Sequence, residues 1–101
     1  MKQTLVIYQT KPESTQDNQR LIERVFQELR DKAPDGVRYM ALKLEDGSFV
    51  HFAAVEDAAG ANPIPALDAF KAFQTGIKER CAVPPHARGA TVVGNYRMLA
   101  E

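Results

Sequence analysis

"YMALKLEDGSFVHFAAV", residues Tyr39–Val55, decides the fold of this chain. Apolar residues alternate on either side of Asp46-Gly47, so the stretch reads as two strands joined by a tight turn. Alternation sends Met40, Leu42, Leu44, Phe49, Ala53 and Val55 to one face and Tyr39, Ala41, Val50, Phe52 and Ala54 to the other. Neither face is polar, whereas an antiparallel sheet open to water usually has one polar face. Leaving Met40, Leu42, Leu44 and Phe49 wet would forgo about 1.5 to 3 kcal/mol each, so both faces need a cover. His51 falls with the first set, and whatever covers that face also encloses a titratable ring.

Upstream, Leu5 to Tyr8 within "TLVIYQT" form a β-branched, aromatic run bounded by Lys11-Pro12, a first strand. Ser14 followed by Asp17 resembles a capping box. Leu21, Ile22, Val25, Phe26 and Leu29 then recur at helical spacing until "APDG" ends the helix. Downstream, "DAAGANPIP" reads as a loop. From Pro65 the residues Leu67, Phe70, Phe73, Ile77 and Cys81 make one stripe of a second helix. "AVPPHARG" is expected to break that helix, and "ATVVGNYRML", Ala90 to Leu99, to form the last strand.

The element order is therefore β-α-β-β-α-β, an α+β ferredoxin-like sandwich with both helices on one face of an antiparallel sheet. The bare face then calls for a second copy of the chain. Two sheets stacked about a twofold axis would give a homodimer, a dimeric α/β barrel.

A chain of 101 residues is expected to form a single domain, residues 1–101. Thirteen basic and 13 acidic residues leave no net charge, so nucleic acid is not an expected partner. The amino-terminal "MKQTLVIYQTKP" has too short an apolar run for a signal peptide or a membrane span, which predicts a cytoplasmic protein with no membrane partner. Cys81, the single cysteine, is expected to be packing. No metal-binding spacing, glycine-rich phosphate loop or serine nucleophile context is present in the sequence.

The runs "FVHFAAVED", "NPIPALDAFKAFQTGIKERC" and "VVGNYRML" resemble the antibiotic biosynthesis monooxygenase-like group of dimeric α/β-barrel proteins. That resemblance spans almost the whole chain. It implies a cofactor-free monooxygenase acting on a small aromatic, quinol or polyketide-like substrate, with no cofactor. The haem-degrading branch of the group uses a first-strand asparagine, a tryptophan just after the third strand and a second-helix histidine. Here the first strand reads "LVIYQT", there is no tryptophan, and Pro65 to Cys81 contains no histidine, so haem degradation is disfavoured.

His51 is the candidate base, able as a neutral imidazole to take a proton from a phenol or enol. Arg38, placed on the same face by parity, is the candidate stabiliser of the resulting anion, which would react directly with dioxygen. Tyr8, Met40, Leu42, Phe49, Phe73 and Tyr96 are expected to line a small apolar pocket between the sheet and the second helix. His86 and Arg88 lie on the proline-stiffened stretch and are weaker candidates for an anion site. The competing reading is a non-catalytic module that binds a small hydrophobic ligand or only dimerises, with His51 hydrogen-bonded to a neighbour in the barrel wall.

Overall fold

The first strand, β1 (Lys2–Thr10), lies inside a four-stranded antiparallel sheet between β3 (Ser48–Val55) and β4 (Cys81–Gly89), with β2 (Val37–Lys43) beyond β3. This is a computed structural model, and it describes residues 2–56 and 62–99. Helix α1 (Thr15–Lys32) crosses between β1 and β2, and α2 (Asp68–Gln74) and α3 (Ile77–Arg80) lead into β4. The predicted β-α-β-β-α-β order and ferredoxin-like sheet are present. The first five residues of the predicted "DAAGANPIP" loop, residues 57–61, lie outside the described residues.

Helix α1 buries Asn18, Ile22 and Val25 against the sheet. Ser14 is its N-cap but makes no side-chain capping bond, so the capping box is not formed. The helix ends at Ala33, in the left-handed conformation at φ 43°, whose N–H donates to the Leu29 carbonyl at 2.7 Å; Pro34 prevents any further turn. The core joins Tyr8, Phe49, Ile22, Val25, Leu67, Phe73 and Cys81. Cys81 is a buried free thiol.

The hairpin differs from expectation by one residue, with large consequences. Its loop is Glu45-Asp46-Gly47, not Asp46-Gly47 alone. The Leu44 N–H donates to the Ser48 carbonyl at 2.8 Å, and Gly47 sits at φ +85°, as a three-residue hairpin with a left-handed last residue requires. Lys43 is thus opposite Phe49, Ala41 opposite His51 and Tyr39 opposite Ala53. Shifting a hairpin by one residue exchanges the faces of one strand relative to the other. Tyr39 therefore joins His51 on the helix-covered side, while Arg38, Met40 and Leu42 pair with Ala54, Phe52 and Val50 on the opposite side.

The second helix and the last strand are also displaced. The expected helix from Pro65 to Cys81 is interrupted at Thr75-Gly76, where Gly76 takes φ +74°. The final strand is Cys81–Gly89, the segment read as a helix-breaking loop, and residues 90–99 form no strand. Pro84 and Pro85 are tolerated because β4 is an edge strand. They lie where the β1–β4 register shifts between Ile7 and Gln9, so their missing N–H groups cost no ladder bond in sequence with the rest.

The face away from the helices carries exposed Ile7 (47%), Met40 (39%), Leu42 (48%) and Val83 (52%). Among the described residues, no helix is long and apolar enough to cross a membrane.

Candidate functional site

A cavity of about 430 Å³ opens between the helix-facing side of the sheet and α2. Val6 and Tyr8 of β1, Tyr39 of β2, His51 of β3, and Phe70 and Phe73 of α2 form its walls, and among the described residues Lys2 and Glu56 are its charged lining. The pocket expected between sheet and second helix is there, although part of its wall is different.

His51 is the centre of the polar wall. It is 5% exposed, with Nε2 2.8 Å from Tyr8 Oη and Nδ1 2.6 Å from Tyr39 Oη. Its ring centroid is 5.5 Å from that of Phe73, and Tyr8 stacks on Phe49 at 5.4 Å. Burial lowers the His51 pKa to about 4, since the charged ring would lose its hydration. The same cause pushes Tyr39 up to about 12, and raises Tyr8 against the opposing hydrogen bond from Asn18. At neutral pH all three rings are uncharged.

Behind Tyr8 lie two residues that reasoning from sequence missed. Asn18 of α1, fully buried, donates from Nδ2 to Tyr8 Oη at 2.9 Å. Arg80 of α3 donates from Nε to Asn18 Oδ1 at 3.1 Å, and from its other nitrogens to the carbonyls of Thr75 and Phe73 at 2.8 and 2.5 Å. A signal for Asn18 existed: it falls on the same stripe as Leu21, Ile22 and Val25, and a polar residue at a core position requires buried partners.

Of the residues expected to form the site, His51, Tyr8 and Phe73 meet at the cavity. Phe49 is buried in the core behind Tyr8 and is not part of the cavity wall. Arg38, Met40 and Leu42 are turned to the other side of the sheet by the hairpin register. Tyr96 is 77% exposed on the segment after β4, away from the cavity. His86 and Arg88 pair with Ile7 and Leu5, on β4 rather than a loop and on the face away from the helices. Tyr39, placed by alternation on the face opposite His51, is its direct partner.

No family model matches the chain, and no curated protein matches it in sequence. Solved structures do match its fold. A putative antibiotic biosynthesis monooxygenase from Nitrosomonas europaea aligns over 93% of this chain and 100% of its own, at 17% identity and TM-score 0.74. Another so described, from Bacteriodes thetaiotaomicron, aligns over 98% and 95% at 14% identity and TM-score 0.78. A variant of SnoaB, a cofactor-independent oxygenase from Streptomyces nogalater, aligns over 95% and 96% at 13% identity and TM-score 0.67. The resemblance noted in the sequence is thus matched by a shared fold.

Proposed function

We propose that this chain is a cofactor-independent monooxygenase that binds a small aromatic or hydroquinone-type molecule in the helix-side cavity and acts as a homodimer. The observation that carries this reading is the cavity itself. Phe70, Phe73 and Val6 supply apolar walls for a ring, and the Tyr39–His51–Tyr8 group supplies a few placed polar atoms, the usual composition of a small-molecule site. The fold shared with a cofactor-independent oxygenase supports the reaction class.

In this reaction the bound substrate ionises, and its electron-rich carbon reacts with dioxygen. One oxygen atom becomes a hydroxyl on the attacked ring C–H carbon, the other leaves as water, and the hydroquinone ends as a hydroxyquinone: hydroquinone plus dioxygen gives hydroxyquinone plus water. His51 is not the base. Both its nitrogens are held by tyrosines, and burial lowers its affinity for a proton. His51 acts through Tyr39, which meets the substrate, and the proton the substrate loses passes to water and is taken back when the second oxygen atom leaves as water.

The second subunit covers the face bearing Ile7, Met40, Leu42 and Val83. An isologous contact hides this patch on both chains at once. Oxygen uptake with a menadiol-type hydroquinone tests the reaction. Uptake by the wild type above the uncatalysed rate, lowered about tenfold or more in Tyr39→Phe, is expected; equal rates with and without protein would overturn it.

One observation favours the second reading, a ligand-binding module without catalysis: both ring nitrogens of His51 are held by tyrosines and burial lowers its affinity for a proton. Tight hydroquinone binding with no oxygen uptake would select it.

A further inference from the structure

The buried hydrogen bonds behind the cavity have a direction that can be worked out from one end. A guanidinium only donates, so the Arg80 contact at 3.1 Å fixes Asn18 with its Oδ1 towards Arg80. The amide nitrogen of Asn18 must then be the end that donates to Tyr8 Oη, at 2.9 Å. Tyr8 is 1% exposed, and its hydroxyl hydrogen needs an acceptor of its own. His51 Nε2, at 2.8 Å, is that acceptor.

A neutral imidazole accepting at Nε2 carries its single proton on Nδ1. His51 therefore donates from Nδ1 to Tyr39 Oη at 2.6 Å. The Tyr39 hydroxyl hydrogen is the one left over, and Tyr39 is half-buried with its side chain on the cavity wall. The reverse direction would strand the Tyr8 hydroxyl hydrogen in the core, at a cost of about 1–3 kcal/mol.

We infer that Arg80, Asn18, Tyr8, His51 and Tyr39 form a one-way string of donors that ends as a hydrogen-bond donor in the cavity, so that the site selects its ligand by an acceptor oxygen, a phenolate, enolate or carbonyl. Each donor in such a string polarises the next, and a cation stands at its far end. Tyr39 touches the ligand; Asn18 and Arg80 are positioning residues. Arg80 is itself anchored on the carbonyls of Phe73, in the last turn of α2, and Thr75, just after it, and lies 5.5 Å over the Phe73 ring, so the string and the cavity's helical wall are built together. Among the described residues, Lys2 from β1 and Glu56 after β3 are the charged groups lining the cavity, of opposite sign, while Phe26 of α1 covers the Tyr39 ring at 5.0 Å.

This inference rests on the reading that the cavity takes a small aromatic molecule, and two separate readouts test it on the full chain. The first uses 4-nitrophenol, whose absorbance distinguishes phenol from phenolate, with toluene as the probe that has no acceptor oxygen. Bound nitrophenol is expected to ionise at lower pH than free nitrophenol. Tyr39→Phe should weaken nitrophenolate binding about tenfold or more and change toluene binding by less than about twofold.

The second readout is the tautomer of His51 from its ring nitrogen resonances, which needs no ligand. The wild type should show the Nδ1–H form. Asn18→Asp keeps shape and the Arg80 contact but accepts only, so Tyr8 must donate to the new carboxylate. The string then reverses, His51 should switch to the Nε2–H form, and bound nitrophenol should stay neutral.

An Nε2–H tautomer in the wild type would overturn the proposal. So would a preference for nitrophenolate that survives Tyr39→Phe and disappears in Lys2→Met. If neither probe binds the wild type, the ligand reading of the cavity fails, while the nitrogen spectrum still decides the direction of the string.

Discussion

Tyr39 Oη and His51 Nδ1 lie 2.6 Å apart across neighbouring strands, and Tyr8 holds the other nitrogen of the same ring. Deleting the imidazole leaves the Tyr8 hydroxyl hydrogen buried without an acceptor, while Tyr39 can still turn to the cavity. His51→Leu should therefore cost about 1–3 kcal/mol, and Tyr39→Phe about 1 kcal/mol or less. Urea denaturation of the two variants measures the difference; equal losses would contradict the assignment of Tyr8 as the dependent partner.

Burial of His51 also makes stability depend on pH. Its folded pKa, about 4, is below the ordinary 6.5, so the unfolded chain binds the proton more readily. This contribution is whole above pH 6.5 and is lost as the pH falls from about 6.5 towards 4. Between pH 7.5 and pH 5 the loss should be about 2 kcal/mol, read from urea midpoints. His51→Gln should flatten the profile in that window, and an unchanged slope would assign it to other groups.

Two turn glycines should respond differently to alanine. Gly47 and Gly36 both have positive φ, at +85° and +73°. A Cβ on Gly47 would have its nearest neighbour 3.9 Å away, whereas on Gly36 it would come within 3.0 to 3.2 Å of the Glu56 side chain. Gly47→Ala should cost about 1–2 kcal/mol, the backbone penalty alone, and Gly36→Ala more. Thermal or urea unfolding ranks the two, and a larger loss at Gly47 would contradict the geometry.

The bare sheet face should hold the dimer together. Ile7 and Leu42 are 47% and 48% exposed in the isolated chain, so charging them leaves the subunit core intact. Sedimentation velocity at micromolar concentration should show a dimer for the wild type and a folded monomer for Ile7→Glu with Leu42→Glu. A wild-type monomer would contradict the proposed assembly.

Much of this fold is legible because its elements are amphipathic at the right period: β1 from Leu5 to Tyr8, α1 from Leu21 to Leu29, and the hairpin. The faces of the hairpin are not, because they depend on whether two or three residues turn the corner at Asp46-Gly47. That single residue moves Tyr39 to His51 and takes Arg38, Met40 and Leu42 away. The last strand is hidden by Pro84 and Pro85, which an edge strand tolerates and local propensity does not. Arg80 and Asn18 are 62 residues apart in the chain, a separation at which no spacing rule operates.

Ligand binding on the helix side of the sheet underlies both the proposed reaction and the donor string. Amide chemical shifts recorded while 2-naphthol is added test it directly. Val6, Tyr39, His51, Ala53 and Phe73, all in the cavity wall, should shift together, while Ile7, Leu42 and Val83 should not. Shifts confined to Ile7, Leu42 and Val83 would place binding on the other face and contradict it.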